Sequence, residues 1–140
     1  MEPDIKLFVA MKAFIVHQGK VLLLRESSHY GDGSNLGKYD VVGGRVKPGE
    51  RFDAGLLREI EEETGLKVKM GNAFCVNEWR PVVRGEQWHI VATFIECFAD
   101  SKEVALSIDH DDYIWIDAQD YTQYPIIETN WPAFEAYLQK

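Results

Sequence analysis

The chain has 140 residues, 46% of them hydrophobic and 12% aromatic, which is enough for one domain with a packed core and too few for two. Its formal net charge of −8, from 23 acidic against 15 basic residues, disfavours attachment to a nucleic acid polymer or to an anionic membrane. No apolar run reaches the ~18 residues that span a bilayer, and the acidic start Met1-Glu2-Pro3-Asp4 lacks the basic end of a secretory signal, so a cytoplasmic protein is expected.

Residues 6–16 and 20–25 are apolar runs separated by His17-Gln18-Gly19 and read as a hairpin. Arg25, at the end of the second run, is read either as a solvated strand end or as a phosphate contact. The segment 27–38 holds three glycines and three serines and reads as a loop. Within it, His29 and Tyr30 are either ordinary loop residues or a cover for a bound base. Residues 39–46 are expected as one short strand carrying Gly43-Gly44, a pair that lets a ligand come close to the backbone.

The next stretch reads as a loop running into a helix, with Asp53 as its N-cap, Leu57, Ile60 and Thr64 on one side and Gly65 closing it. Glu59, Glu62 and Glu63 stand at i, i+3 and i+4 and share a face. Neighbouring pairs of like charges on a helix repel by about 0.2–0.5 kcal/mol, which a bound cation would offset. Ligands that are all oxygen suit a hard ion such as Mg²⁺ or Mn²⁺. A solvated acidic face is the alternative.

Residues 67–79 and 87–98 read as strands, the second with a run, HIVATFIECF, suited to burial on both faces and with Glu96 as its odd carboxylate. Glu96 is a minor candidate for a second metal ligand or base. Trp79 and Trp88 are read as core residues first and pocket residues second. Residues 108–117 read as a last strand behind the polar group Asp109, His110, Asp111 and Asp112. The chain ends in an amphipathic helix that starts at Trp131-Pro132, with Phe134, Tyr137 and Leu138 expected on its buried side and Asn130 as its cap. Cys75 and Cys97 have no CxxC spacing and are read as buried free thiols.

Gly44, five residues, Glu50, seven residues, then Arg58-Glu59-Ile60-Glu61-Glu62-Glu63-Thr64-Gly65-Leu66 resembles the Nudix box at every specified position. The resemblance covers 23 of 140 residues directly, from 44 to 66. It implies an α/β chain with the Nudix fold, an α/β/α sandwich around a mixed sheet, in one domain over 1–140. It also implies metal-dependent hydrolysis of a nucleoside diphosphate linked to another moiety. Glu59, Glu62 and Glu63 would be ligands to Mg²⁺ or Mn²⁺, with the Gly43 carbonyl completing the shell and Asp109, or one of its neighbours, serving as a further ligand or base. Arg58 would orient Glu59, Glu50 would support that network, and Glu62 doubles as the base in some relatives. Arg25 and Gly44 would meet the substrate, and Asn130 matches an Asn that reads the purine in one branch. Many relatives carry Trp-x-x-Pro before the two glycines where this chain has Tyr39-Asp40-Val41-Val42, which leaves the branch open.

The partner implied is a small nucleotide or related diphosphate. A nucleoside triphosphate ranks first, followed by ADP-ribose, for which Pro81 is a weak sign, or a nucleotide sugar. A nucleotide-sensing module without catalysis is the alternative from another class, although such modules usually lose box residues and this chain has lost none. The isomerase that shares the fold needs a reactive Cys, which neither Cys75 nor Cys97 resembles. Many relatives are dimers, so a homodimer is left open.

Overall fold

The computed structural model describes residues 4–27 and 35–140. Tyr30 and His29, and with them the idea of a cover for a base, lie outside the described residues. The long first strand, β1 (Ile5–His17), is the spine of the sheet. It runs parallel to β7 (Glu86–Ala99) along almost its whole length, from Ile5↔Gln87 to Val16↔Phe98. Its other edge is shared. The middle pairs antiparallel with β4 (Val42–Arg45), and the far end pairs with β2 (Lys20–Glu26). The β1–β2 turn puts Gln18 and Gly19 at φ 49° and 80°, the doubly left-handed hairpin whose twist matches its strands. Outward from β7 lies β5 (Val68–Trp79), with the short β6 (Val82–Val83) beside the start of β7, while β2 carries β3 (Tyr39–Asp40) and β8 (His110–Asp117).

Alternation along β1 divides the core. Met11, Ala13 and Ile15 pack with Leu56 and Ile60 of α1 (Phe52–Thr64), whereas Ala10 and Phe14 pack with Ala133 and Phe134 of α2 (Trp131–Gln139). One helix on each face of a mixed sheet gives the expected α/β/α sandwich. Strand β7, between β1 and β5, buries Ala92, Phe94, Ile95 and Cys97, as its apolar run requires.

Several local expectations are corrected. Residues 39–46 are two strands, because β3 pairs with β2 while β4 crosses to β1. Gly43 makes that crossing with φ 146°, so close to β1 that a Cβ would overlap the Met11 carbonyl oxygen. Helix α1 starts one residue before Asp53. Arg51 flanks it without a side-chain cap and binds the Asp53 carboxylate at 3.0 Å through both Nε and Nη2. Leu56, rather than Leu57, shares the buried stripe with Ile60 and Thr64, while Leu57 is 39% exposed. At the other end Gly65 has φ 72° and donates its N–H to Glu61 O, the left-handed stop that the glycine predicted. In α2, Phe134 is buried but Leu138 is exposed.

Glu96 has a structural occupation instead of a metal. It accepts from Tyr137 Oη at 2.5 Å and from Lys140 Nζ at 2.7 Å, fastening the C-terminal helix to β7. Among the described residues no helix is long and apolar enough to cross a membrane.

Candidate active site

Helix α1 begins beside the end of β4, so its acidic side and the loop between them enclose one open cavity of about 1090 Å³. Glu50, Arg58, Glu59, Glu62 and Glu63 line it together with Gly44, and Asp109 and His110 close it from the start of β8. The opposite wall is strand, formed by Leu7, Phe8 and Val9.

Arg58 organises three of the carboxylates. Its Nε donates to Glu50 Oε2 at 3.2 Å, its Nη1 donates to Glu62 Oε2 at 3.1 Å, and the same Nη1 stands 3.6 Å from Glu59 Oε1. A flat guanidinium can hold several acceptors in fixed directions, which an ammonium cannot. Glu50 is fixed from its other side by the Lys47 backbone N–H at 3.3 Å, and that bond, with the pairing to Arg58, keeps its carboxyl below the ordinary range despite some burial. Gly55 makes room for this, since a Cβ there would lie 2.6 Å from Glu50 Oε1. Glycine inside a helix costs about 1 kcal/mol relative to Ala, so a packing reason of this kind is what its presence signals.

Glu59 is half-buried against Gly44, where a Cβ would stand 3.4 Å from its Oε1. Burial raises its pKa, and the charges of Glu62 and Glu63 add to the rise against the pull of Arg58 and Lys47. Glu63 is held differently. Its Oε2 accepts from Ser107 Oγ at 2.6 Å and from His110 Nδ1 at 2.8 Å, which fixes the proton of the imidazole on Nδ1 when the ring is neutral. The bond to His110 first, then that to Ser107, lowers the Glu63 pKa against the effect of burial. Both bonds use one oxygen, leaving Oε1 for a ligand. The pairing of His110 with Glu63 was not anticipated; the signal available was a His directly after Asp109 at the mouth of a strand.

Other sequence candidates lie elsewhere. Arg25 does not line the cavity: its Nε donates to Asp111 Oδ1 at 2.7 Å, and its Nη1 is 3.9 Å from Asp112. Gly43 sits inside the β1–β4 ladder, one residue short of the cavity wall. Asn130 makes no cap hydrogen bond. It is 1% exposed and donates Nδ2 to Asp40 Oδ1 at 2.8 Å, while Lys12 Nζ binds the other Asp40 oxygen at 3.1 Å. Because Asp40 can only accept, the amide orientation is set, and Asn130 Oδ1 is left buried with no partner. Trp88 packs edge-on to Phe8 beside the cavity, and Trp79 packs against the core on the α2 side.

With side chains as they stand, no three His, Cys, Asp or Glu among the described residues converge on a common point, because Glu62 turns to Arg58 and Glu63 to His110. The donor chemistry nevertheless fits a hard divalent cation. Three carboxylates from one helix line the cavity, and burial first, then the charges of Glu62 and Glu63, raises the pKa of Glu59, costs that a bound cation would offset.

The fold is a mixed sheet between two helices, the first of which turns a row of carboxylates into an open cleft. The chain belongs to the Nudix family, whose NUDIX domain profile matches residues 6–137. It is 25% identical over 133 residues to the CTP pyrophosphohydrolase of Escherichia coli K12, covering 95% of this chain and 93% of that one. It is 28% identical over 100 residues to the nucleoside triphosphatase NudI of Klebsiella pneumoniae, covering 64% of this chain and 69% of that one. Among solved structures it resembles the MutT protein of Methanosarcina mazei Go1, with a TM-score of 0.83 and 25% identity over 99% of this chain and 96% of that one.

Proposed function

We propose that this protein hydrolyses a nucleoside triphosphate to the monophosphate and pyrophosphate with the help of Mg²⁺ or Mn²⁺. The observation that carries the reading is the gathering of Glu50, Glu59, Glu62, Glu63 and Arg58 on one wall of a cavity large enough for a nucleotide. A relative matched over nearly the whole of both chains is a CTP pyrophosphohydrolase, and a second is a nucleoside triphosphatase, which favours triphosphates over other linked diphosphates.

Glu59, Glu62 and Glu63 would hold the cation, with Asp109, beside the Ser107 and His110 that bind Glu63, as a further ligand or base. When bound, the cation neutralises phosphate charge and lowers the pKa of water. Arg58 restrains Glu59 and Glu62 as a unit, and Glu50 restrains Arg58. Ser107 and His110 keep Glu63 ionised and aimed. Glu62, the most exposed of the three helix carboxylates at 55% of its side chain, would accept a proton from the attacking water. Gly44 lets the phosphate chain approach Glu59 without a side chain between them. Asn130 lies outside the cavity lining, and a base that extends beyond the cavity would meet its unpartnered Oδ1.

The test is product analysis with Mg²⁺ across nucleoside triphosphates, ADP-ribose and nucleotide sugars. Monophosphate and pyrophosphate from a triphosphate support the proposal. Binding of nucleotides without turnover would replace it with a sensing role.

A further inference from the structure

Arg45 is a cation without a counter-charge at the edge of the cavity. Its guanidinium lies 4.3 Å from the Phe8 ring centroid and 5.0 Å from that of Trp88, and the two rings meet edge to face at 4.7 Å. Among the described residues no carboxylate or hydrogen-bond acceptor pairs with it, in a chain of net charge −8 where Arg25, Arg51, Arg58 and Arg80 all have acidic partners. Arg45 and Phe8 both line the cavity that holds the glutamates, and Lys47, two residues on, lines it as well. The cation–π contact uses the flat face of the guanidinium and leaves its N–H edges unspent. Aromatic contact also removes rotamer freedom, so an incoming anion meets a group already in place.

The geometry points to Arg45 as a contact for the substrate's phosphate chain, preorganised by Phe8 and Trp88, and therefore as a residue that sets preference for triphosphate over diphosphate. This rests on the reading that a phosphate chain occupies the cavity. Arg58 is less suited to the same work, because its Nε and Nη1 are taken by Glu50 and Glu62 and its remaining Nη2 is buried. Phe8 and Trp88 are positioning residues that act through Arg45.

The test is calorimetric binding of inorganic tripolyphosphate and of pyrophosphate to the full chain with Mg²⁺, for wild type, Arg45→Met, Arg45→Lys and Trp88→Leu. Methionine keeps apolar cover on the rings without the charge, so a purely structural role predicts Arg45→Met to bind as wild type. The inference predicts tripolyphosphate binding weakened about tenfold or more, pyrophosphate binding weakened less, an unchanged Tm, and partial retention in Arg45→Lys. Trp88→Leu should raise KM for triphosphates while sparing kcat, and should have no further effect on binding when Arg45 is already Met. Unaltered tripolyphosphate binding in Arg45→Met, or none in wild type, overturns the inference. Nucleotide hydrolysis with an indifferent Arg45→Met would sink it while sparing the hydrolase; Arg45-dependent binding without hydrolysis would do the reverse.

Discussion

Glu50 and Gly55 fit together so closely that a Cβ on the glycine would stand 2.6 Å from Glu50 Oε1 and 2.8 Å from its Cδ. Five residues apart in the chain, they allow a loop carboxylate to lie against the helix and hold Arg58. Gly55→Ala removes an intrinsic helix cost of about 1 kcal/mol but displaces Glu50. We expect an unchanged or raised Tm together with activity reduced about tenfold, the usual scale for loss of a supporting contact. Equal activity in the two proteins, measured beside their melting curves, would show that Glu50 does not support Arg58.

Glu59 ties stability to pH with an unusual sign for an acid. Burial, with its like-charged neighbours, raises its folded pKa above the unfolded value. Between the two values the folded chain binds more protons than the unfolded one, so stability falls as pH rises through that window and stays lowered above it. Glu59→Gln should therefore melt a few degrees higher than wild type at pH 7–8 without metal. Added Mg²⁺ should raise Tm in wild type and do much less in the variant. A lower Tm for the metal-free variant would refute this.

The clasp of Tyr137 and Lys140 on Glu96 gives the opposite dependence. Burial opposes ionisation of Glu96, but the bonds from Lys140 and Tyr137 outweigh it and lower the pKa. The stabilisation is present above the ordinary Glu pKa of about 4.3 and is lost as pH falls through the lower folded value. Tyr137→Phe should cost about 1 kcal/mol at neutral pH and flatten the acid side of the Tm–pH curve, with activity per folded molecule retained. An unchanged acid limb would remove the clasp from the account.

How much of this was legible in the sequence depended on how local each feature is. The Nudix box, the left-handed Gly65 and the Gln18-Gly19 turn are contiguous signals, and each appears where its residues demand. The sequence pattern points to Leu57 and the structure buries Leu56, because a one-residue error in phase turns a helical side chain by ~100°. Arg25 looked free because its partner Asp111 lies 86 residues away on a neighbouring strand. His110 looked like a loop residue because Glu63 is 47 residues distant. The split of residues 39–46 into β3 and β4 depends on which strand each half meets, which no local pattern encodes.

Asn130 supplies a separable prediction about the base. Its Oδ1 is a buried acceptor awaiting a donor, while Nδ2 is committed to Asp40. Asn130→Ala should narrow the spread of kcat/KM among nucleoside triphosphates differing only in base by about tenfold, and leave tripolyphosphate binding as in wild type. A preserved order and spread of preference would assign Asn130 to the fold alone.

The most direct measurement compares wild type with Glu62→Gln for pyrophosphate release from nucleoside triphosphates in Mg²⁺. The account predicts turnover by wild type and a loss of ~100-fold or more in kcat for the variant, the scale on which removing one essential electrostatic group acts, with the fold intact by circular dichroism. Turnover that survives Glu62→Gln, or a wild type that binds triphosphates and releases nothing, would contradict it.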